Sequence, residues 1–249
     1  MKTNTMKTIA VAIITAGIVT VGQAALISEN FEGYTIGNAP GGAWTVNQGT
    51  GSMLVQSGNG GKVLEAIGNT LQAPNMSQTF ASQSGVILDF SFDANLGVSI
   101  ADAQYLGVNL MSGATKVLSF DVGNNGNPTA AFNFYKANHG TYVTTFFGSA
   151  STWYTVTGTL NLSSGAFSFS FGGLQDANNA PATIVTGSIG TGQTVDGLKL
   201  EFVNPIGTKT VQIDNISLAA EVVPEPSTVL LFALGGGVVL AYRRRQRAM

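Results

Sequence analysis

The chain has 249 residues, of which only 10% are charged, and it contains 32 glycines, one histidine and no cysteine. An ordinary soluble protein has about 25% charged residues, so small polar side chains supply much of this surface. Without cysteine, thiol catalysis, thiolate metal sites and disulfides are excluded. Between Ala25 and Val223 there are five lysines and twelve acidic residues, a formal charge of −7. We therefore expect no nucleic-acid partner, because no basic patch is present to neutralise phosphates.

The first segment of the chain has the pattern of a secretory signal peptide. Lys2 and Lys7 give it a positive start, the apolar run "IAVAIITAGIVTV" follows, and "GQA" then has small residues at the two positions that signal peptidase reads. We therefore predict a signal helix over residues 1–24, which signal peptidase removes after Ala24. An uncleaved anchor helix is the alternative, and the short apolar run argues against it.

The central region alternates apolar and polar residues in short runs, which is typical of strands with one buried face. In "VILDFSFD", Leu88, Phe90 and Phe92 would occupy one face. Turn-rich stretches separate the runs, and Ser163-Ser164-Gly165 indicates a hairpin turn in "LNLSSGAFSFSF". No part of this region has helical periodicity. The other runs are "TKVLSFDV", "TAAFNFY", "TYVTTFF", "WYTVTGTLNL", "GAFSFSF", "DGLKLEFV" and "TVQIDNISLA".

These runs predict an all-β fold. About a dozen antiparallel strands in about 200 residues form two packed sheets or a barrel, and one-sided strands favour a sandwich. We predict a jelly-roll-like antiparallel β-sandwich over residues 25–221, with an N-terminal signal helix and a C-terminal transmembrane helix. "NFEGY", "STWYTVTGTLNLSSGAFSFSF" and "VQIDNISLA" resemble stretches of concanavalin-like, laminin-G-like and carbohydrate-binding sandwiches.

That resemblance implies a structural calcium. In several carbohydrate-binding jelly rolls, an "FE" in the first strand and an "ID" in the last strand help to hold a calcium ion beside the paired termini. The matching positions here are Glu32 and Asp214, and carboxylates are the hard oxygen donors that calcium prefers. The alternative is that Glu32 is a surface turn residue and Asp214 packs at a sheet edge.

Candidates for catalysis are few. The sole histidine, His139, lies in the loop "YKANHGTY", and no G-x-S-x-G is present. The Glu-x-Asp-x-Glu strand motif of laminarinase-like sandwiches is also absent. Asp89 and Asp93 are about 13 Å apart along one strand face at 3.3 Å per residue, too far for a glycosidase pair. A pair of Asp89 with Asp121 or Glu201 from a neighbouring strand remains open. We predict no enzymatic activity, with a glycan-active hydrolase or lyase as the alternative.

Exposed aromatic side chains are the candidates for sugar binding, because sugar-binding sandwiches often stack pyranose rings on them. Trp44 and Trp153 are the principal candidates, and the alternative for both is that they cover an edge of the core. The tyrosines considered with them are Tyr105, Tyr135 and Tyr142.

The C-terminal segment combines three features in order. Pro224-Glu225-Pro226 must stay extended, because two prolines fix φ and remove hydrogen-bond donors. The apolar span 227–242 would be a helix of roughly 24 Å, slightly short of a hydrocarbon core of about 30 Å. A basic cluster follows and holds its end in the cytoplasm, which places the body across the membrane. The cluster consists of Arg243, Arg244, Arg245 and Arg247.

This order closely resembles the PEP-CTERM sorting signal of Gram-negative bacteria that make extracellular polysaccharide. The resemblance covers Pro224–Met249, in a predicted sorting segment 222–249. It implies that an exosortase-type membrane enzyme processes the tail and releases or transfers the body. We therefore expect export across the inner membrane, transient anchoring, and then the cell surface or extracellular matrix, with polysaccharide as a partner. A permanent tail anchor is the alternative. The predicted role of the body is structural or glycan-binding.

Overall fold

The structure is a computed structural model. Gln23 and Ala24, the last two residues of the predicted signal helix, belong to the first strand instead. The rest of that segment, residues 1–22, and the predicted sorting segment 222–249 lie outside the described residues. Pro224, Glu225 and Pro226, the arginine cluster, the expected span 227–242 and His139 therefore lie outside them. In the part that is described, no helix is long and apolar enough to cross a membrane. The described residues are 23–48, 52–67, 74–95, 104–124, 130–136, 141–148, 151–175, 184–203 and 210–221, with backbone alone for most of 123–147.

Within these ranges the chain forms fifteen strands and no helix. In chain order the strands are β1 Gln23–Glu29, β2 Thr45–Asn47, β3 Ser52–Gly58, β4 Gly61–Ile67, β5 Asn75–Ser84, β6 Ile87–Asn95, β7 Gln104–Ser112, β8 Thr115–Asn124, β9 Ala130–Lys136, β10 Thr141–Gly148, β11 Trp153–Asn161, β12 Ala166–Gly172, β13 Val185–Ser188, β14 Thr194–Val203 and β15 Thr210–Glu221.

The strands form two sheets. Sheet A has the order β13-β12-β11-β6-β15-β4-β3, and β1 also pairs with β15. Sheet B has the order β10-β9-β8-β7-β14-β5-β2. The described pairings are antiparallel, including β1 with the second half of β15, so the first and last strands are neighbours. The prediction of an all-β antiparallel sandwich is confirmed.

The core lies between the two sheets and is built by the alternation seen in the sequence. In β6, Leu88, Phe90 and Phe92 are buried, and the residues between them are partly exposed. Phe120 of sheet B meets Phe90 and Phe169 of sheet A, with ring centroids 5.5 and 4.9 Å apart. Burying one such ring stabilises the fold by roughly 1.5–3 kcal/mol. Interlocked rings from both sheets make one core, and each sheet keeps an outer face turned away from it.

The hairpin between β11 and β12 confirms the turn predicted at Ser163-Ser164-Gly165. The Asn161 side-chain oxygen accepts hydrogen bonds from the backbone N–H groups of Ser163 and Ser164, both at 3.0 Å. Gly165 has φ 71°, and a Cβ there would lie 1.7 Å from the carbonyl oxygen of Gly190. Only glycine fits this position, because both the left-handed φ and the close backbone approach exclude a side chain.

Candidate functional site

Glu29, at the end of β1, organises the loop that follows it. One carboxylate oxygen accepts hydrogen bonds from the Tyr34 hydroxyl and the Trp44 indole N–H, both at 2.9 Å. The other accepts the backbone N–H of Phe31 at 2.7 Å. Burial, the hydrogen bond to Glu29 and the charge of Glu29 together raise the pKa of Tyr34 to about 12.

This arrangement corrects the expectation that Trp44 is a sugar-stacking surface. The Trp44 side chain is 6% exposed and belongs to the hydrophobic core. Its ring is buried because Glu29 satisfies the only polar atom of the indole, which removes the cost of burying it. The alternative, that Trp44 covers an edge of the core, agrees with its burial.

Trp153 has a different environment from Trp44. It begins β11 and pairs with Asn95 of β6. The next residue, Tyr154, points into the core and is 7% exposed, so alternation places Trp153 on the outer face of sheet A. Trp153 is half-buried there, and it remains a candidate for stacking on a sugar.

The outer face of sheet A continues from Trp153 as a ladder of small polar side chains. Thr155, Thr157 and Thr159 of β11 are exposed, and they pair in register with Asp93, Ser91 and Asp89 of β6. A groove of about 360 Å³ runs along this ladder. Among the described side chains that line the groove are several hydroxyls and one carboxylate, that of Asp89, and no lysine.

Two carboxylates on this face are held by neighbouring side chains. Asp93 accepts hydrogen bonds from the Thr155 hydroxyl at 2.5 Å and from the Asn215 side-chain amide at 2.8 Å. Asp89 accepts a hydrogen bond from the Gln23 amide. Gln23 precedes the predicted cleavage position, so processing after Ala24 would remove that donor from the groove.

The structure places the two predicted calcium ligands next to residues of the β3–β4 hairpin, where both have partners within the protein. Glu32 accepts the backbone N–H of Lys62 at 2.7 Å, and the Lys62 ammonium donates to the Glu32 carbonyl oxygen at 2.8 Å. Asp214 accepts the backbone N–H of Asn215 at 2.8 Å and a side-chain bond from Asn59 at 3.4 Å. Each carboxylate therefore has a protein donor.

The surroundings of Asp214 include one feature that favours calcium binding and one that opposes it. Burial raises the pKa of Asp214 against the opposing bonds from Asn215 and Asn59, and the negative charges of Asp93 and Glu32 raise it further. A cation would relieve that repulsion. Calcium takes about six to eight oxygen ligands, however, and in the described ranges no three His, Asp or Glu side chains converge to hold a metal. Carboxylate oxygens are the donors that calcium prefers, but the described ones do not surround a common point, so calcium binding remains a prediction.

The outer face of sheet B contains three buried polar residues, the polar trio Asn109, Ser119 and Asp121. Their exposed fractions are 0%, 1% and 1%. The Ser119 hydroxyl lies 2.6 Å from the Asn109 side-chain oxygen and 3.4 Å from a carboxylate oxygen of Asp121. The Asn109 amide donates to the Lys199 carbonyl oxygen at 3.2 Å. Hydrogen bonds among these side chains and to the Lys199 carbonyl oxygen offset part of the cost of burying them.

Beside the trio lies the lysine cluster, which consists of Lys116, Lys199 and Glu201. The two ammonium groups lie 3.0 and 2.9 Å from different oxygens of the Glu201 carboxylate. The Lys116 position is opposite Met111, two rows away from Glu201 in the strand register. The Lys116 side chain must therefore extend along the face past the row of Asn109 and Ser119.

The two acids on this face have opposite pKa shifts. Burial raises the pKa of Asp121 to about 7, against the lowering effects of Lys116 and the Ser119 hydroxyl, and the charge of Glu201 adds to the rise. Burial also acts to raise the pKa of Glu201, but the hydrogen bonds and charges of Lys199 and Lys116 outweigh it and lower that pKa below its usual range. Glu201 is therefore charged at neutral pH, and Asp121 is about half protonated there.

The structure rules out the mixed carboxylate pairs left open by the sequence. Asp89 lies on the outer face of sheet A, whereas Asp121 and Glu201 lie on the outer face of sheet B. The hydrophobic core separates the two faces, so Asp89 cannot act with either acid. Asp121 and Glu201 share a face, with β7 between their two strands. Asp121 is only 1% exposed, so a substrate has no direct access to its carboxylate.

The polar trio and the lysine cluster were missed as a site at the sequence level. The signal is present in "TKVLSFDV", where Ser119 and Asp121 are two residues apart, and in "GLKLEFV", where Lys199 and Glu201 are two residues apart. Their meeting depends on β7 lying between β8 and β14, a pairing that the alternation does not encode.

Solved structures show that the fold is shared with carbohydrate-related proteins. The CBM2 module of the evolved Dit of Lactobacillus casei BL23 phage J-1 matches with TM-score 0.57 at 14% identity, covering 82% of this chain and 99% of that one. A carbohydrate esterase from the Shiga toxin-encoding bacteriophage phi24B matches with TM-score 0.56 at 14% identity, covering 81% and 100%. Peanut lectin matches with TM-score 0.50 at 14% identity, covering 80% and 99%. At this identity the similarity establishes the fold alone.

Sequence comparison identifies the C-terminal segment. No curated protein matches the chain significantly. The model of the PEP-CTERM protein-sorting motif matches residues 222–246, which include the proline pair, the apolar span and three of the four arginines. The chain therefore has a PEP-CTERM protein-sorting motif at residues 222–246, joined to a body with a lectin-like β-sandwich fold.

Proposed function

We propose that this protein is exported across the inner membrane of a Gram-negative bacterium and binds or scaffolds extracellular polysaccharide through a noncatalytic β-sandwich. The observation that supports export most strongly is the sorting motif at residues 222–246. The motif implies an exosortase-type membrane enzyme as the processing partner, after signal peptidase has acted at the N-terminus. The body would then reach the cell surface or the extracellular matrix.

The positions of the acids support a noncatalytic role. Glycoside hydrolysis needs two carboxylates that reach the same glycosidic bond. Asp89 is separated from Asp121 and Glu201 by the core, and Asp121 is buried under its own face. The pairs of Asp89 with Asp121 or Glu201 are therefore excluded, and a hydrolase would need an accessible pair elsewhere. Release of reducing ends from a polysaccharide by the purified protein would contradict the proposal.

Trp153 supports glycan binding. It is a half-buried ring beside a ladder of hydroxyls and carboxylates on the outer face of sheet A. An apolar ring next to hydrogen-bonding groups matches the two sides of a sugar, which has apolar C–H faces and a hydroxyl rim. The phage CBM2 module, the phage carbohydrate esterase and peanut lectin share this fold, which is consistent with the proposed role.

A glycan array followed by calorimetry tests the binding. The protein is purified from an exosortase-containing host, so that its natural processing is preserved. We expect Trp153→Ala to weaken binding about tenfold or more, because buried aromatic anchors contribute above 1 kcal/mol. Ile36→Ala is the control, since Ile36 is an exposed apolar residue, 47% exposed, outside the ladder. Binding that is unaffected by Trp153→Ala would contradict the proposed site.

Mass spectrometry of the mature C-terminus tests the sorting. We expect the wild-type body to lack Arg243–Met249, and the variant with Pro224-Glu225-Pro226 replaced by Ala-Ala-Ala to keep this segment and remain in the membrane fraction. A mature exported protein with an intact wild-type tail would instead indicate a permanent anchor.

We also propose that a structural calcium binds near Asp214 and Glu32. Its support is the repulsion that Asp93 and Glu32 exert on the buried Asp214 carboxylate, together with the pairing of the first and last strands. The calcium would stabilise the contact between β15 and the loop that follows β1.

A further inference from the structure

The predicted cleavage position lies inside a strand of the folded body. In the register of β1 with β15, Ala24 pairs with Ala220 and Ala25 pairs with Ala219. The peptide bond that signal peptidase would hydrolyse, between Ala24 and Ala25, therefore has a paired residue on each side. A protease needs an extended stretch of chain that is free of such pairing, so a paired bond is cleaved only when the strand opens locally.

A bulge divides β1 into two parts with different surroundings. The register shifts between Ala25 and Ile27, which makes Leu26 the extra residue of the bulge. Before the bulge, residues 23–25 are exposed. After it, Ile27 is 3% exposed and belongs to the core. The part that contains the cleavage position is therefore held by its ladder with β15 and by a side-chain bond to Asp89, whereas the second part is held by packing.

The strand that protects this bond is the last one in the chain. Among the described strands, β15 is the only partner of β1, and it follows all the others in sequence. An exported chain emerges with its N-terminus first, so β15 is the last strand to become available. Until then, the bond between Ala24 and Ala25 has no strand to pair with and is open to signal peptidase. Once β15 docks, the same bond is protected.

The same register places the two predicted address segments side by side. Gln23 pairs with Glu221, so a residue of the predicted leader lies opposite the residue that precedes the sorting segment 222–249. Neighbouring strands are about 4.8 Å apart. A precursor that folded with its leader uncut would therefore have both membrane segments at one end of the sandwich. Removal of the leader leaves the sorting segment as the remaining link to the membrane.

We propose that the docking of β15 on β1 closes the signal peptidase site, so that the leader must be removed before the sandwich is complete. This inference rests on the proposed export and adds the order of its steps, which are hydrolysis after Ala24, docking of β15, and processing of the tail. The first step consumes one water molecule and leaves a carboxylate on Ala24 and an α-ammonium group on Ala25. The second step makes the new N-terminus part of a paired strand.

Cleavage of the full-length precursor by purified signal peptidase in detergent micelles tests the inference. The precursor is folded before the enzyme is added, and the reference substrate is a peptide of residues 1–34, which contains the leader and lacks β15. Mass spectrometry follows the appearance of the Ala25 N-terminus. We expect the folded precursor to be cleaved at least about tenfold more slowly than the peptide, because only the open fraction of β1 is a substrate. Equal rates for the two substrates would overturn the inference.

Two matched variants separate the pairing of β1 from other effects. Ile27→Ser removes the core contact that anchors β1 and should raise the cleavage rate of the folded precursor about tenfold. Ile36→Ser makes the same change at a residue that is 47% exposed and should leave the rate unchanged. The peptide with Ile27→Ser measures any direct effect on recognition by the enzyme. Equal rates in the two folded variants would overturn the inference, and the comparison of wild type with peptide decides it where Ile27→Ser does not fold.

The outcomes also separate this inference from the proposed function. N-terminal sequencing of the protein from an exosortase-containing host should give Ala25 as the first residue. If it does, and the folded precursor is cleaved as fast as the peptide, the inference fails and the proposed export stands. An exported protein that retains residues 1–24 would contradict both the inference and the leader removal in the proposed function.

Discussion

The two outer faces of the sandwich arise from the same alternation of residues but have different physical properties. On sheet A, Thr155, Thr157 and Thr159 are exposed, and the polar residues opposite them on β6 are partly exposed. On sheet B, Asn109, Ser119 and Asp121 occupy equivalent outward positions and are almost completely buried. One face is a hydrated ladder, and the other is a buried polar network bordered by two lysines.

The difference shows that an outward position in a strand does not determine exposure. Asp93 on sheet A and Asp121 on sheet B both follow a core phenylalanine, yet burial raises the pKa of Asp121 to about 7. A buried polar group needs partners from neighbouring strands, so sheet B must bring Ser119 and Asn109 together. Sheet A can leave its hydroxyls to water.

The largest expected effect comes from removing the core that both faces share. Phe120→Ala should lower the free energy of unfolding by about 3–5 kcal/mol, because it removes the ring that contacts both sheets. Chemical denaturation monitored by circular dichroism measures this change. A loss below about 1 kcal/mol would mean that the two sheets do not depend on one shared core.

Calcium should stabilise sheet A through Asp214 of β15. At a calcium concentration about 100-fold above the Kd, we expect the free energy of unfolding to rise by about 2.7 kcal/mol over the value in a chelator. Asp214→Asn should abolish that rise, and Asp121→Asn, the same substitution on sheet B, should retain it. Identical melting curves of the wild type with calcium and with chelator would refute the calcium prediction.

Asp121→Asn should remove the contribution that the buried Asp121 carboxylate of sheet B makes to the pH dependence of the free energy of unfolding. The folded-state pKa of Asp121 is about 7, above the ordinary 3.8, so the native state binds this proton more tightly than the unfolded state. The resulting stability is fully present below about pH 4 and is lost as the pH rises through about 7. At pH 8 the variant should be more stable than the wild type, by on the order of 2 kcal/mol.

Asp89→Asn on sheet A serves as the comparison for this experiment. The Asp89 carboxylate is partly exposed, and its replacement should change the free energy of unfolding by less than about 0.5 kcal/mol at pH 8. Parallel pH–stability curves for the wild type and Asp121→Asn would show that Asp121 has no raised pKa.

The smallest effect is expected on the threonine ladder. Thr157→Ala and Thr159→Ala should each change the free energy of unfolding by less than about 0.5 kcal/mol, because both side chains are exposed. Urea titrations of the two variants measure this. A loss above 1 kcal/mol in either variant would mean that the ladder is a structural network like the polar trio, and the contrast between the faces would disappear.

The sequence by itself determined the strand content, the core side of each strand, one hairpin turn and the sorting tail. These features are local: the alternation in "VILDFSFD" involves only neighbouring residues, and the left-handed φ of the hairpin turn already favours glycine at Gly165. The tail motif is likewise read from consecutive residues. The sequence also suggested the calcium and sugar-stacking candidates, but the residues that surround them come from distant parts of the chain.

Only the tertiary structure decided which side chains meet and which are buried. Trp44 is in the core because Glu29, fifteen residues earlier, accepts its indole hydrogen bond. Asp89 lies on a different face from Asp121 because β6 and β8 belong to different sheets. Lys116 and Lys199 share Glu201 because β8 and β14 both flank β7. Strand order is set by contacts between residues far apart in the chain, and a period-two pattern has no information about which strand will be the neighbour.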